Sequence, residues 1–278
     1  MKKIKIGIFG PGGRMGSDLL EQIENFSSLE LSVLCEKGKH KDVGKTVSGI
    51  VIGDDINNLV KCSDVIIDFT IPAATINLLK AMHDLKAKTA LVTGTTGYTK
   101  TEEKKFQELV NGRKVLRSFN MSIGINLMKN LIKAASKNIS SQSDIEIVEI
   151  HHNQKKDIPS GTAISLAKSV QEGFKGIAKF SYREENKNKA RGKNEIGFAS
   201  IRGGDVIGEH TVYFFLNGER IELKHIASSR KIFSVGALKA ASWLHQKKAG
   251  LYTCLLYTSD AADDRAWGEI GGGGVSQQ

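Results

Sequence analysis

Over the first 120 residues, short apolar runs alternate with stretches of helical spacing. IKIGIFG (4–10), LELSVLCE (29–36), DVIIDFT (64–70), TALVTGTTG (89–97) and KVLRSFN (114–120) read as strands. Between them, SDLLEQIENF (17–26), AATINLLKAMHDL (73–85) and TEEKKFQELV (101–110) carry apolar residues three and four apart, the mark of a half-buried helix. Alternation of this kind predicts a parallel sheet with helices on both faces. The texture then changes. GINLMKNLIKAASKNI (124–139) predicts a long amphipathic helix, IEIVEIHH (145–152) a strand and AISLAKSVQEGF (163–174) a second helix. IGFASIR (196–202), GEHTVYFFL (208–216) and RIELKHIA (220–227) follow as strands, the last two joined by the hairpin turn Asn217-Gly218. FSVGALKAASWLHQ (233–246) predicts a closing helix. The second half is therefore expected to be α+β, with a mixed, antiparallel-rich sheet.

From Cys254 onward the periodicity stops, acidic residues accumulate and four glycines close the run, so little folded structure is expected over 254–278. The apolar share of 40% is enough for sizeable cores, and no apolar run approaches the length of a membrane span. The apolar start turns into glycines by Gly10, which argues a first strand rather than a signal peptide and predicts a cytoplasmic protein. Three cysteines, Cys35, Cys62 and Cys254, with no CxxC spacing, suggest neither a disulfide framework nor a metal site. A net charge of +10 admits an anionic ligand, but the lysines are scattered, and the dense run KNKARGK (187–193) reads as a solvated loop.

Chemistry enters at GPGGRMG (10–16), between the first strand and the first helix. Gly10, Gly13 and Gly16 recur at every third position, which departs from strict GxGxxG, but the physical consequence is the same. The turn is tight, a phosphate can come close to the backbone, and a helix N-terminus offers free N–H groups. Glu36 ends the second strand twenty residues past Gly16, where a dinucleotide fold sets a carboxylate against the adenosine ribose. The first half is thus expected to be a Rossmann-like nucleotide domain. A carboxylate there favours NADH, while Lys37, Lys39, His40 and Lys41 beside it suit the extra phosphate of NADPH, so both coenzymes stay open. DFTIP (68–72), TGTTG (93–97) and SFNMSIG (118–124) follow later strand ends, where open α/β sheets bind ligands.

The densest cluster is EIHHNQKKDIPSGTA (149–163). His151 and His152 end a strand and point to opposite sides, so they have different jobs. Lys155 follows in a loop, and Pro159-Ser160-Gly161-Thr162 leads into a helix that Ser160 or Thr162 suits as cap. An imidazole, an ammonium and a helix start predict a small carboxylate or dianionic ligand held beside an acid/base group.

The motif E-x-H-H-x-x-K-x-D-x-P-S-G-T-A resembles the signature of the dihydrodipicolinate reductase family. GPGGRMG, DFTIP, TGTTG, FNMSIG, IRGGDVIGEHTVYF and HIASSRKIFSVGA occur with it in order, so the resemblance covers roughly residues 3 to 253. It implies a cytoplasmic NADPH- or NADH-dependent oxidoreductase of lysine and diaminopimelate biosynthesis that reduces the unsaturated ring to tetrahydrodipicolinate. It implies His151 as acid/base and Lys155 as proton donor, with His152, Gly161, Thr162 and the adjoining Ser160 on the substrate, together with Thr96. Coenzyme would contact Gly10, Pro11, Gly12, Gly13, Arg14, Met15, Glu36, Lys37, Gly94, Thr95, Thr96, Ser118, Phe119, Asn120 and Met121. The family architecture further implies a nucleotide domain over 1–122 joined by a returning helix within 232–253, a substrate and oligomerisation domain over 123–231, hinges near 119–122 and 229–233, and a homotetramer built through the second sheet. Neither nucleic acid nor membrane is an implied partner. After GLYT (250–253) the family pattern gives way to CLLYTSDAADD, which resembles translated adaptor sequence, so 254–278 is expected to be a foreign tail.

Residue content alone admits two other readings. Another two-domain dehydrogenase acting on an amino-acid-like substrate would share residues 1–120 without needing the His-His-Lys-Ser-Gly-Thr set. An anion- or nucleic-acid-binding module would explain the charge, but it lacks stacking aromatics and a concentrated basic stripe.

Overall fold

A computed structural model describes residues 2–174, 176, 179–182 and 190–254. The chain builds β1 (Ile4–Phe9), α1 (Arg14–Ile23), β2 (Leu29–Cys35), β3 (Thr46–Val47), β4 (Ile50–Gly53), α2 (Ile56–Cys62), β5 (Val65–Asp68), α3 (Pro72–Asp84), β6 (Ala90–Thr93), α4 (Lys100–Val110) and β7 (Lys114–Arg117). There follow α5 (Ile123–Ile139), a 3-10 turn at Ser140–Gln142, β8 (Asp144–His151), α6 (Gly161–Gly173), β9 (Lys179–Tyr182), β10 (Glu195–Arg202), β11 (Gly208–Phe215), β12 (Arg220–Ala227), α7 (Lys231–His245) and β13 (Gly250–Tyr252).

Among the described residues the first sheet has order β13-β7-β6-β5-β1-β2-β4-β3, parallel except for the short β3–β4 pair. Its strands are apolar on both faces, as a sheet sandwiched between helices requires. Ile6, Ile8, Val65, Ile67 and Val92 point to the side of α1 and α7, whereas Phe9, Ile66 and Leu91 point to α2, α3 and α4. α7, late in sequence, packs on α1 and on β5, β6 and β7, and β13 then adds the edge strand beside β7.

The second sheet runs β12-β11-β8-β10-β9, with two antiparallel ladders, β12–β11 and β11–β8, and two parallel ones, β8–β10 and β10–β9. β11 and β12 form the hairpin read from Asn217-Gly218, with Gly218 at φ +83. Ile145, Ile147, Ile196, Val212 and Phe214 alternate inward and meet Ile125, Met128 and Ile132 of α5 and Leu166 and Val170 of α6. Those two helices cover one face. The other exposes Tyr213, Phe215, Ile201 and Ile226.

Two expectations change. Residues 187–189 of the basic run lie outside the described residues, but Arg191 is anchored rather than solvated. It pairs with Asp144 at 2.7 Å and Glu146 at 3.2 Å, and it donates to the carbonyls of Ile145 and Glu195. Cys254, counted with the tail by its sequence, is buried in the first core, its thiol 3.4 Å from the Met121 sulfur. The rest of that tail, 255–278, lies outside the described residues. Among the described residues, no helix is long and apolar enough to cross a membrane.

Candidate active site between the two sheets

The glycine turn is built for a phosphate. Gly10 takes φ +82, and a Cβ on Gly16 would lie 2.3 Å from the Gly10 carbonyl oxygen, so helix and turn meet backbone to backbone. A Cβ on Gly12 would strike His40, Asp42 and Glu36, at 2.7, 2.9 and 3.1 Å. α1 starts at Gly13 without a side-chain cap or an acidic residue in its first turn, and Arg14 there is exposed. Its first N–H groups and the positive end of the helix therefore face outward for an anion. Pro11 is buried behind the turn and Met15 is half-buried. Glu36 is also buried; its carboxylate accepts the Gly12 N–H at 2.9 Å and the Lys37 N–H at 3.1 Å, while the Lys37 side chain is exposed. These features fit a dinucleotide.

At the end of β5, Asp68 is fully buried. It accepts the Thr70 N–H (2.9 Å) and the hydroxyls of Thr70, Thr75, Thr93 and Thr95 at 2.6, 2.5, 3.1 and 3.3 Å. This network holds the loop after β6 against the loop after β5. Gly94 is required there, because a Cβ would come within 2.1 Å of the Phe69 ring. Thr95 is consequently buried within the network, while Thr96 and Gly97 reach the open space beyond it.

That space is a cavity of about 650 Å³ between the two sheets. The first sheet contributes Thr96, Gly97 and Arg117–Asn120, and the second half contributes Asn126, Lys129, His151, Lys155, Asp157 and Ser160–Thr162. Of the residues read from sequence, the fold thus brings together Thr96, Ser118, Phe119, Asn120, His151, Lys155, Ser160, Gly161 and Thr162. His152 follows the end of β8 and does not line this cavity, in keeping with its opposite direction from His151. Met121 turns its side chain into the first core.

The roles of several partners were not readable from the sequence. Glu149 shares the inward face of β8 with His151 through the two-residue strand period, and it has no solvent exposure. Its carboxylate accepts the His151 Nδ1 proton at 2.5 Å, both terminal nitrogens of Arg202 at 2.9 and 2.8 Å, and the Ser160 N–H at 3.3 Å. Burial alone would raise the Glu149 pKa, but the bonds from His151, Arg202 and Ser200 outweigh it and hold the carboxyl well below its ordinary range. Arg202 also donates to the Asp157 carbonyl at 2.7 Å. Ser160 caps α6 by accepting the Ala163 N–H at 3.1 Å, and its hydroxyl meets His210 Nε2 at 3.0 Å. Burial, reinforced by the nearby His151, pushes His210 down to about 3, so it is neutral near pH 7. Lys155 pairs with Asp157 at 2.8 Å. Lys129, on α5, has its ammonium pKa lowered by burial. Across the cavity, the Asn120 side-chain amide donates to the Thr162 hydroxyl at 3.1 Å.

The arrangement offers a cleft with one imidazole, one loop ammonium, a half-buried second lysine and the free N–H groups of α6. It can hold an anionic ring and move a proton at its edge. The chain also resembles known proteins over most of its length. The sequence model of the dihydrodipicolinate reductase N-terminus matches residues 4–121, and that of its C-terminus matches 124–255. The chain is 40% identical over 263 residues to the 4-hydroxy-tetrahydrodipicolinate reductase of Roseobacter denitrificans, covering 91% of this chain and 96% of that protein. It is 41% identical over 254 residues to the protein of the same name from Nitratiruptor sp., covering 90% and 97%. Among solved structures, its fold is similar to the dipicolinate-bound dihydrodipicolinate reductase from Paenisporosarcina sp. TG-14, with TM-score 0.74, 23% identity and coverage of 90% and 97%. A more distant likeness is the DAP dehydrogenase of C. glutamicum, at TM-score 0.56 and 13% identity over 95% of this chain and 100% of that one.

Proposed function

Because the chain belongs to the dihydrodipicolinate reductase family, we infer that it is an NAD(P)H-dependent 4-hydroxy-tetrahydrodipicolinate reductase and that the inter-sheet cavity is its active site. The observation that carries this reading is the meeting of His151, Lys155 and the Ser160–Thr162 turn with Thr96 and Ser118–Asn120 in one cavity. The glycine turn with Arg14 and Met15 holds the pyrophosphate, and Glu36 and Lys37 face the adenosine end. Gly94, Thr95, Thr96 and Ser118–Met121 shape the nicotinamide end, partly through backbone. Bound there, the coenzyme supplies hydride to the unsaturated ring.

The protein's own groups do the rest. The Gly161 and Thr162 N–H groups, at the start of α6, bind one substrate carboxylate, with Lys155 near its charge. His152, next in sequence to His151, is assigned to the substrate through the family motif. Negative charge delocalised on the ring is quenched by a proton from Lys155 or His151, and preorganised cations stabilise it beforehand. Residues 1–122 with the returning α7 and β13 act as one domain and 123–231 as the other, hinged near 119–122 and 229–233, so that closure brings the substrate turn onto the nicotinamide. The uncovered face of the second sheet is the subunit contact of a homotetramer.

The test is spectrophotometric. Substrate generated in situ by the upstream synthase should drive oxidation of NADPH or NADH, and pyridine-2,6-dicarboxylate should inhibit. Coenzyme oxidation that does not depend on that substrate would sink the reading.

A further inference from the structure

We propose that Glu149, braced by Arg202, is the positioning residue of this cavity: it fixes the His151 proton on Nδ1 and ties that imidazole to the turn that opens α6. The proposal rests on the reductase reading for its effect on turnover; the tautomer itself does not.

His151 Nδ1, both terminal nitrogens of Arg202 and the Ser160 N–H converge on Glu149, with the Ser200 hydroxyl beside them. A carboxylate has about four acceptor sites, so this one is saturated and its orientation is fixed. Its burial is complete, and a buried carboxylate persists only with a countercharge. Arg202 is that countercharge, delivered in the two-pronged geometry that best holds a carboxylate. The consequence for His151 is specific. Arg202 already supplies the countercharge of Glu149, so what the carboxylate asks of His151 is a donor, and Nδ1 is the nitrogen that meets it. Nε2 is the ring nitrogen left outside that pair, and His151 lines the cavity.

The same carboxylate links three segments. Arg202 sits opposite His151 in the parallel β8–β10 ladder and reaches the Asp157 carbonyl. Ser160, the cap of α6, donates its N–H to Glu149. One side chain therefore sets the imidazole and the anion-binding turn in mutual register, as outer partners of reactive histidines do elsewhere.

The experiment uses the full chain labelled with 15N-histidine, with the His151 signals assigned by their loss in His151→Asn. At a pH where the ring is neutral, the imidazole pattern should be that of the Nδ1–H tautomer; an Nε2–H pattern would overturn the proposal. In Glu149→Gln the pattern should become mixed or switch, and kcat should fall roughly 10- to 100-fold, more than KM changes. A group that only filled space would leave the tautomer untouched, and a Glu149→Gln enzyme with wild-type kcat and tautomer refutes the role. If Glu149→Gln does not fold, the wild-type tautomer decides alone. Failure of pyridine-2,6-dicarboxylate to bind the wild-type chain would strike the reductase reading and leave the tautomer result standing.

Discussion

Lys155 stands in a loop, ion-paired with Asp157 at 2.8 Å, and its side chain is largely shielded. In the proposed mechanism it is a candidate donor to a ring bound at Gly161 and Thr162. Lys155→Ala should lower kcat by roughly 10²–10⁴, the usual scale for losing an acid/base group, in steady-state assays. Two buried residues set the response to acid. His210 is pushed down to about 3, so only the unfolded chain takes up a proton as pH falls below about 6.5. Glu149 is depressed, so the stability it gives is present above the ordinary carboxylate range and lost as pH falls below it. Both signs agree: thermal unfolding temperature should decline steadily from about pH 6.5 downward, and His210→Asn should flatten the upper part of that decline. The sequence made His151, Lys155 and Ser160–Thr162 legible because one short segment carries them. Glu149 was legible as part of the motif but not in its role. Arg202 and His210 arrive only through strand register, against His151 and Glu149 respectively, and no spacing along the chain announces that.

At the scale of elements, alternating strand and helix patterns predicted the first sheet through β7, whereas the segment between Lys37 and Ser63 gave no signal. It contains a two-residue strand, a four-residue strand and a helix of barely two turns, too short for periodicity to speak. What stops that helix from fraying is a cap, Asp55 accepting the Asn57 N–H at 2.8 Å. The direction of β10 was equally hidden, because apolar alternation is the same whether a strand pairs parallel or antiparallel. The glycine turn is the element with the least slack. Gly16→Ala should cost about 1–3 kcal/mol, because its Cβ meets a carbonyl rather than a flexible side chain. Chemical denaturation would measure that loss, and NADH fluorescence titration should register weaker binding. Ser160→Ala removes both a cap and the hydroxyl facing His210. About 1 kcal/mol of stability should go with it, together with a raised KM.

For the whole molecule, the proposed tetramer draws on the uncovered side of the second sheet. Phe215 and Tyr213 stack there with ring centroids 5.4 Å apart, and Ile201 and Ile226 are about half exposed. Glu146, Arg220 and Glu222 stand beside the two rings, so the face proposed as the subunit contact is mixed, with large apolar groups set among charges. Phe215→Lys should shift the sedimentation coefficient from that of a four-chain particle to a smaller one while circular dichroism stays unchanged; a wild-type chain that sediments as a single subunit would remove the tetramer. The bond from Asn120 to Thr162 has a consequence on the same scale. It spans the gap between the wall assigned to coenzyme and the wall assigned to the diacid, so it couples the positions of the two. Linkage then demands symmetry: whatever factor bound coenzyme adds to the affinity for pyridine-2,6-dicarboxylate, the diacid must return to the coenzyme. Calorimetric titrations in both orders should close that thermodynamic box, and Asn120→Ala should shrink the shared factor from both sides at once.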